Sequence, residues 1–318
     1  MTRWLAWTTA CFISVSSLFC IPLQSSAGEG PNPVAQVERT SLAQAAQDDH
    51  VAKPVADLRS EATLQASINN WRAILAREAG FESWQSASWN SFPLGPGTHG
   101  WGVILTDHGQ EVGYMIVYAA ENGSFRLNEY GTGAHPLFSL TTLYRSLVQQ
   151  ELIPSTMSYS DFVRNEQITK NRLYMDALTA VWKVAIEGQT YYLDAKSGEL
   201  LPLKEDPKPK LAEASLQGTD LQGAAITVAT PSFDPYERLP WILGQPLPIS
   251  KVQEFQSALK QHNNLTYVTE LYGGLVTLPL AILGYQQWGE NNNYLILDHM
   301  GARYVQLEEA LAQGRIYK

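Results

Sequence analysis

The sequence predicts an α+β protein, built as two small domains with mainly antiparallel sheets and a few packed helices. Three observations carry this. Apolar residues recur at helical spacing in only a few segments. Short apolar runs are joined by turn signals such as Asn122-Gly123. Helices and strands alternate irregularly, without the regular beat of a doubly wound sheet. The chain has 318 residues, room for two domains of ordinary size.

The first element is a leader. Arg3 precedes a charge-free run, Leu5 to Leu23, and Ser25-Ser26-Ala27 follows. This layout predicts a secretory signal peptide over residues 1–27, cleaved after Ala27. The alternative is an uncleaved membrane anchor over residues 4–23. A lipoprotein through Cys20 is a third reading, although Phe19 stands where a small residue is wanted. Cleavage leaves 21 basic residues (22 less Arg3) against 31 acidic ones, and no cysteine, since Cys11 and Cys20 are the two present. An exported chain of this kind forms no disulfide and depends on core packing. The acidic balance argues against a nucleic-acid partner and against an anionic membrane surface. Membrane attachment is expected only if the leader stays.

Residues 28–55 are rich in Ala, Gln, Asp and Pro and read as a flexible tether. The N-terminal domain is expected over 56–203. Leu64, Ile68, Trp71 and Leu75 give one helical face, with Gly80 beyond its end. A Trp/Phe-rich passage follows, then strands over Trp101–Thr106, Val112–Tyr118 and Phe125–Tyr130. Leu140, Leu143, Tyr144, Leu147 and Val148 mark a second helix, and Val181–Ile186 with Thr190–Leu193 a hairpin turned at Glu187-Gly188. Alternating Pro and charge from Lys204 to Lys210, in an aromatic-free stretch, predicts a linker over 204–230. The C-terminal domain, 231–318, opens with Pro-rich coil around Trp241. Ser250 and Gln253 form a capping-box pattern before a helix face of Val252, Phe255 and Leu259. Strands are expected at Tyr267–Glu270, Leu280–Tyr285, Tyr294–Leu297 and Arg303–Leu307, and a short helix through Glu308 and Leu311 that stops at Gly314. One element recurs: Tyr192–Gly198 and Tyr294–Gly301 both run from an apolar strand to Asp and then Gly, which is hairpin-turn chemistry. Neither has the oxygen spacing of a calcium loop.

Several chemistries are excluded. Without cysteine a thiol enzyme has no nucleophile. No Gly-x-Ser-x-Gly, His-Glu-x-x-His or phosphate-loop pattern occurs. His99, His108 and His135, with Asp107 or Glu129, match no standard zinc spacing. No cofactor is expected, and no metal for folding. Asp107 and Glu129 are the candidate carboxylates for glycan cleavage. Glu129 lies in an otherwise apolar strand, where alternation predicts that it faces solvent. Of the seven tryptophans beyond the leader, Trp89, Trp241 and Trp288 adjoin loops and are the candidates for contact with a partner, beside the plainer reading of each as core.

Asp176-Ala177-Leu178-Thr179-Ala180-Val181-Trp182-Lys183-Val184 and, after Gly188, Tyr191 to Glu199 resemble the end of a PepSY domain, with Ser197 in the place of Thr. The resemblance, over about residues 176–199, implies a module that accompanies secreted peptidases or sits in envelope proteins and inhibits or assists rather than catalyses. The stretches Pro93–Trp101, Gly113–Val117 and Phe125–Gly133 are similar to uncharacterised secreted proteins of Gram-positive, spore-forming bacteria, which brings no activity. Leu283-Gly284-Tyr285 with Tyr294–Asp298 resembles the C39-like branch of the papain-like peptidases. That family's His is replaced by Pro279-Leu280-Ala281-Ile282, and the helix that should open with the nucleophile opens with Ser250-Lys251. The resemblance therefore implies at most a degenerate fold with a peptide groove. The expectation is a non-catalytic secreted or cell-envelope module that binds a peptide or protein partner. The alternatives are a carboxylate-dependent cell-wall hydrolase and a structural envelope or spore protein.

Overall fold

The computed structural model describes residues 55–95, 98–120, 122–208, 221, 223, 225–290 and 292–318. The leader, most of the tether and the middle of the 204–230 linker lie outside these residues. Helix α1 spans Val55–Leu75, and its expected apolar face, Leu64, Ile68, Trp71 and Leu75, is buried. A 3-10 turn, Glu82–Gln85, leads into a four-stranded meander of β1 (Ser88–Pro93), β2 (Gly100–Asp107), β3 (Gln110–Ala119) and β4 (Phe125–Thr132). The Trp/Phe-rich passage is thus partly a strand that its composition did not announce.

Helix α2 (Leu140–Gln149) starts at Ser139, whose hydroxyl accepts from the Thr142 backbone N–H at 3.1 Å. A short α3 (Tyr159–Arg164) follows. Then β5 (Thr169–Asp176), β6 (Thr179–Ile186) and β7 (Gln189–Asp194) form a separate three-stranded antiparallel sheet.

Residues 225–229 of the expected linker instead form β8 (Ala225–Ala229), which pairs with a later strand; a single helical turn α4 (Pro240–Leu243) and α5 (Val252–Gln261) follow. The expected Ser250/Gln253 box is displaced by one residue. Glu254 accepts instead from the backbone N–H of Ser250 at 2.8 Å and of Lys251 at 3.1 Å. The chain ends with β9 (Thr266–Leu271), the long β10 (Val276–Trp288), β11 (Asn292–Asp298), β12 (Ala302–Gln306), α6 (Leu307–Gln313) and β13 (Gly314–Tyr317).

The larger sheet has ten strands in the order β1-β2-β3-β4-β12-β11-β10-β9-β13, with β8 also paired to β10. Strand β10 pairs β9 through Ala281, then β8 from Gly284 onward, with a register shift against β11 between Ile282 and Gly284. Gly284 has φ +132°, and a Cβ there would lie 1.8 Å from the Val228 carbonyl oxygen, so only glycine fits where the pairing of β8 with β10 begins.

The antiparallel α+β class holds. The division at 204–230 into separately built domains does not, because β4 pairs with β12 through Gly131–Arg303 and Tyr130–Tyr304. Residues Val55–Lys318 form one compact unit. Trp71, Trp84 and Tyr130 share a core with Trp288, Tyr294 and Tyr304. Residues 204–208 form no helix or strand, but the hydrophobic faces before and after the expected linker are buried against each other.

The strands at the centre are covered on both faces. In β3, Met115 and Val117 enter the core under α1, while Tyr114, Ile116 and Tyr118 enter a second core with α2 and the small sheet. A third core joins α5, α6 and β9–β12, and takes in Ala177 and Leu178 from the β5–β6 turn.

Candidate functional site

A register shift between Ile116 and Val117 leaves Asn128 unpaired between Leu127 and Glu129. This bulge breaks the alternation of β4. Leu127 and Tyr130 stay in the core under α1, while Glu129 lies opposite Ile116, a residue of the other core. Glu129 is completely buried, which corrects the solvent-facing expectation. The alternation rule assumed one wet face, and β4 has none.

Every donor around Glu129 comes from a different strand. Arg303 of β12 donates Nε to Oε1 at 2.7 Å. Tyr114 of β3 donates its hydroxyl to Oε1 at 2.5 Å, and Tyr174 of β5 donates to Oε2 at 2.7 Å. Asn128 donates Nδ2 to the Tyr174 hydroxyl at 3.2 Å. Arg303 reaches further, to Nδ1 of His299 at 3.0 Å and to the Ala177 carbonyl oxygen. Burial is the largest single influence on the Arg303 guanidinium and works against its charge, but Glu129, Tyr114 and Tyr174 together outweigh it and the net shift is upward. Burial, then Glu129, raises Tyr114 and Tyr174 well above the usual phenol range. Burial, helped by Arg303 and Lys196, holds His299 well below the usual imidazole range, so its Nδ1 is free to accept from Arg303.

The recurring strand–Asp–Gly element stands beside this cluster in both copies. In the first, the Asp194 carboxylate accepts from the backbone N–H of Lys196 at 2.9 Å and of Ser197 at 2.7 Å. In the second, His299 N–H bonds the Gly301 carbonyl at 3.0 Å, and Asp298 accepts from Ser232 at 2.5 Å. The two turns face each other. Lys196, wholly buried, donates Nζ to the His135 carbonyl and, at 3.5 Å, to the Met300 carbonyl. Burial, with Arg303 next, pushes the Lys196 ammonium down to about 7.

A second group of buried polar atoms lies where the β5–β6 turn meets α6. Asp176 is 0 % exposed. Its Oδ1 accepts from the backbone N–H of Leu178 at 3.2 Å and of Thr179 at 2.9 Å, but its Oδ2 has no partner. Glu309 of α6 is 6 % exposed and neither oxygen has a partner. Burial first, then Asp176 and Glu129, pushes its carboxyl up to about 8.

The sequence candidates are scattered. Asp107 ends β2, accepts from Ser86 at 2.9 Å and pairs with His108 Nδ1 at 3.0 Å, contacts that hold its carboxyl low. It is not engaged with the Glu129 cluster. Trp89 is half-buried against the α1 core and donates Nε1 to Asn69 at 3.0 Å. Trp288 is core rather than surface, since β10 runs through it. Its Nε1 donates to the Tyr130 hydroxyl and to Gln286 Oε1, both at 3.2 Å. Trp241 alone belongs to a surface cluster, with its ring edge-to-face on Tyr236 at 5.3 Å. Beside it Leu243 is 80 % exposed, Ile242 65 % and Tyr236 58 %. The turn that presents them starts at Leu239, held in the left-handed region with φ 48°.

Among the described residues no group of three or more His, Cys, Asp or Glu is placed to hold a metal, and no helix is long and apolar enough to cross a membrane. No family model, curated protein or solved structure matches the chain.

Sequence reasoning missed Arg303, Lys196, Asp176, His299 and Glu309. A partial signal existed for three of them: Lys196 and His299 lie inside the recurring turns, and Asp176 opens the PepSY-like segment.

Proposed function

We propose that the protein is a non-catalytic secreted or cell-envelope module that binds a peptide or protein partner through the surface around Trp241. The observation that carries this is the contiguous exposure of Tyr236, Ile242 and Leu243 beside Trp241, on a turn fixed by Leu239 and Pro240. An apolar and aromatic cluster exposed to water suits an apolar anchor of a partner. The PepSY-like reading of 176–199 favours a partner among secreted peptidases.

The hydrolase reading is weaker. A glycosidase needs two carboxyl groups facing across an accessible cleft. Glu129 is buried and both its oxygens are occupied, while Asp107 bonds a different set of residues.

The test is a pull-down from culture supernatant and wall extract, run beside a turnover assay on labelled peptidoglycan. A partner should be captured by the wild type and lost on Trp241→Ala, with the circular dichroism spectrum unchanged. Peptidoglycan turnover that Asp107→Asn abolishes in a folded variant would overturn the binding-module reading.

A further inference from the structure

We propose that the contact between the β5–β6 turn and α6 is a buried site for one hard divalent cation of the calcium class, with Asp176 and Glu309 as its charged ligands. The inference goes beyond the partner-binding reading and does not depend on it.

The first support is the chemistry of the unpartnered atoms. Besides Asp176 Oδ2 and both oxygens of Glu309, the Thr179 hydroxyl and Gln313 Oε1 are buried without a partner. All are oxygens. Carboxylate and amide oxygens only accept, and these four acceptor atoms outnumber the two buried hydroxyls left without a partner beside them, that of Thr179 and that of Tyr272, on which Asp176 acts. Leaving buried acceptors unpaired costs free energy, and a hard cation bound by oxygen removes that cost.

The second support is placement. Thr179 is 3 % exposed and is the register partner of Asp176. Its backbone N–H bonds Asp176 Oδ1, which ties its hydroxyl to the same turn. Gln313 follows Glu309 by one helical turn and lies on the same face of α6. Ala177 and Leu178, the tip of the turn, pack in one core with Leu307 and Ala310 of α6.

The third is charge. Two carboxyl groups match one divalent ion. The buried cation on this side, Arg303, is already spent on Glu129, His299 and the Ala177 carbonyl. The groups acting on Glu309 are Asp176 on β5 and Glu129 on β4. Tyr267 of β9, also packed on α6, has its hydroxyl committed to the Ala310 carbonyl at 2.8 Å.

A cation site here departs from the sequence expectation, which placed no metal site in the chain and required no metal for folding. Chelator-treated full-length protein, titrated with calcium chloride above pH 8, should take up one equivalent by calorimetry. Its Tm should rise by on the order of 5 °C at saturation. Glu309→Gln, nearly isosteric, should abolish the uptake, and Asp176→Asn should do the same. If Asp176→Asn fails to fold, Glu309→Gln decides. Absence of saturable uptake up to about 10 mM calcium overturns the site, since even weak extracellular sites fill there. Wild-type uptake by folded Glu309→Gln also overturns it, because the calcium then binds surface acids.

Discussion

Two carboxyl groups lie buried in this protein under opposite conditions. Glu129, on the seam between β4 and β12, has a donor on each oxygen and a guanidinium against it. Glu309, on α6 beside the β5–β6 turn, has a carboxylate neighbour and no donor. The same side chain therefore plays two roles. At the seam it locks strands from both sides of the linker into one sheet. At the helix it is a weak point whose state follows pH or a bound cation. Burial alone does not tell the two apart, and the partners do.

The largest expected effect breaks the seam. Arg303→Met leaves Glu129 buried without its counter-ion and releases the Ala177 carbonyl, and should cost about 3–5 kcal/mol in urea unfolding. Adding Glu129→Gln should recover part of that loss, because the uncompensated charge goes with it. A single-variant cost below about 1 kcal/mol would mean that the seam is held by apolar packing instead.

The next effect sharpens the contrast at Glu309. Its folded carboxyl, at about 8, holds a proton that the unfolded chain, at 4.5, has lost. The native state binds more protons across that window, so stability is greatest below 4.5 and declines as pH rises towards 8. The slope is up to about 1.4 kcal/mol per pH unit. In chelator, Glu309→Gln should remove this decline and be more stable than the wild type at pH 8. A wild type whose denaturation midpoint is flat between pH 5 and 8 would contradict it.

Lys196 should give the smallest effect, because its ammonium keeps carbonyl partners on His135 and Met300. It runs the other way. The folded group at about 7 binds fewer protons than the unfolded one at 10.5, so its contribution grows as pH rises between these values. Lys196→Met should flatten the alkaline limb of the stability profile. Superposed, the two slopes place the wild-type minimum near pH 7 to 8, where they cross. A profile of Lys196→Met that still climbs above pH 8 would assign the limb to another group.

Much of the fold was legible in the sequence. The four-residue apolar face of α1 and the strands on either side of Asn122-Gly123 need only local pattern, and they stand where periodicity put them. What local pattern does not contain is which faces meet. Trp71 and Trp288 read as residues of different domains, yet they share a core because β4 and β12 pair. Glu129 read as an exposed strand residue because the bulge at Asn128 and the second covering layer have no signature in the sequence around it. Arg303 has no motif at all. Its role depends on a partner 174 positions away. The Trp241 cluster was partly legible, since Pro-rich coil with a Trp rarely packs, whereas Trp288 misled because β10 extends beyond its expected end at Tyr285.

That long reach has a kinetic consequence. The central pairing of the large sheet joins Tyr130 to Tyr304, so the middle of the sheet closes only when the last strands arrive. Such high contact order slows folding, because the entropy of a long loop must be given up before the pairing rewards it. Until β12 docks, β4 presents an open edge beside a covered core, a template for another strand. A nascent chain halted before Tyr304 would carry that edge unprotected. The exposure lasts for as long as the final residues take to emerge, and a chaperone that holds the chain extended during this interval would guard one strand above the rest.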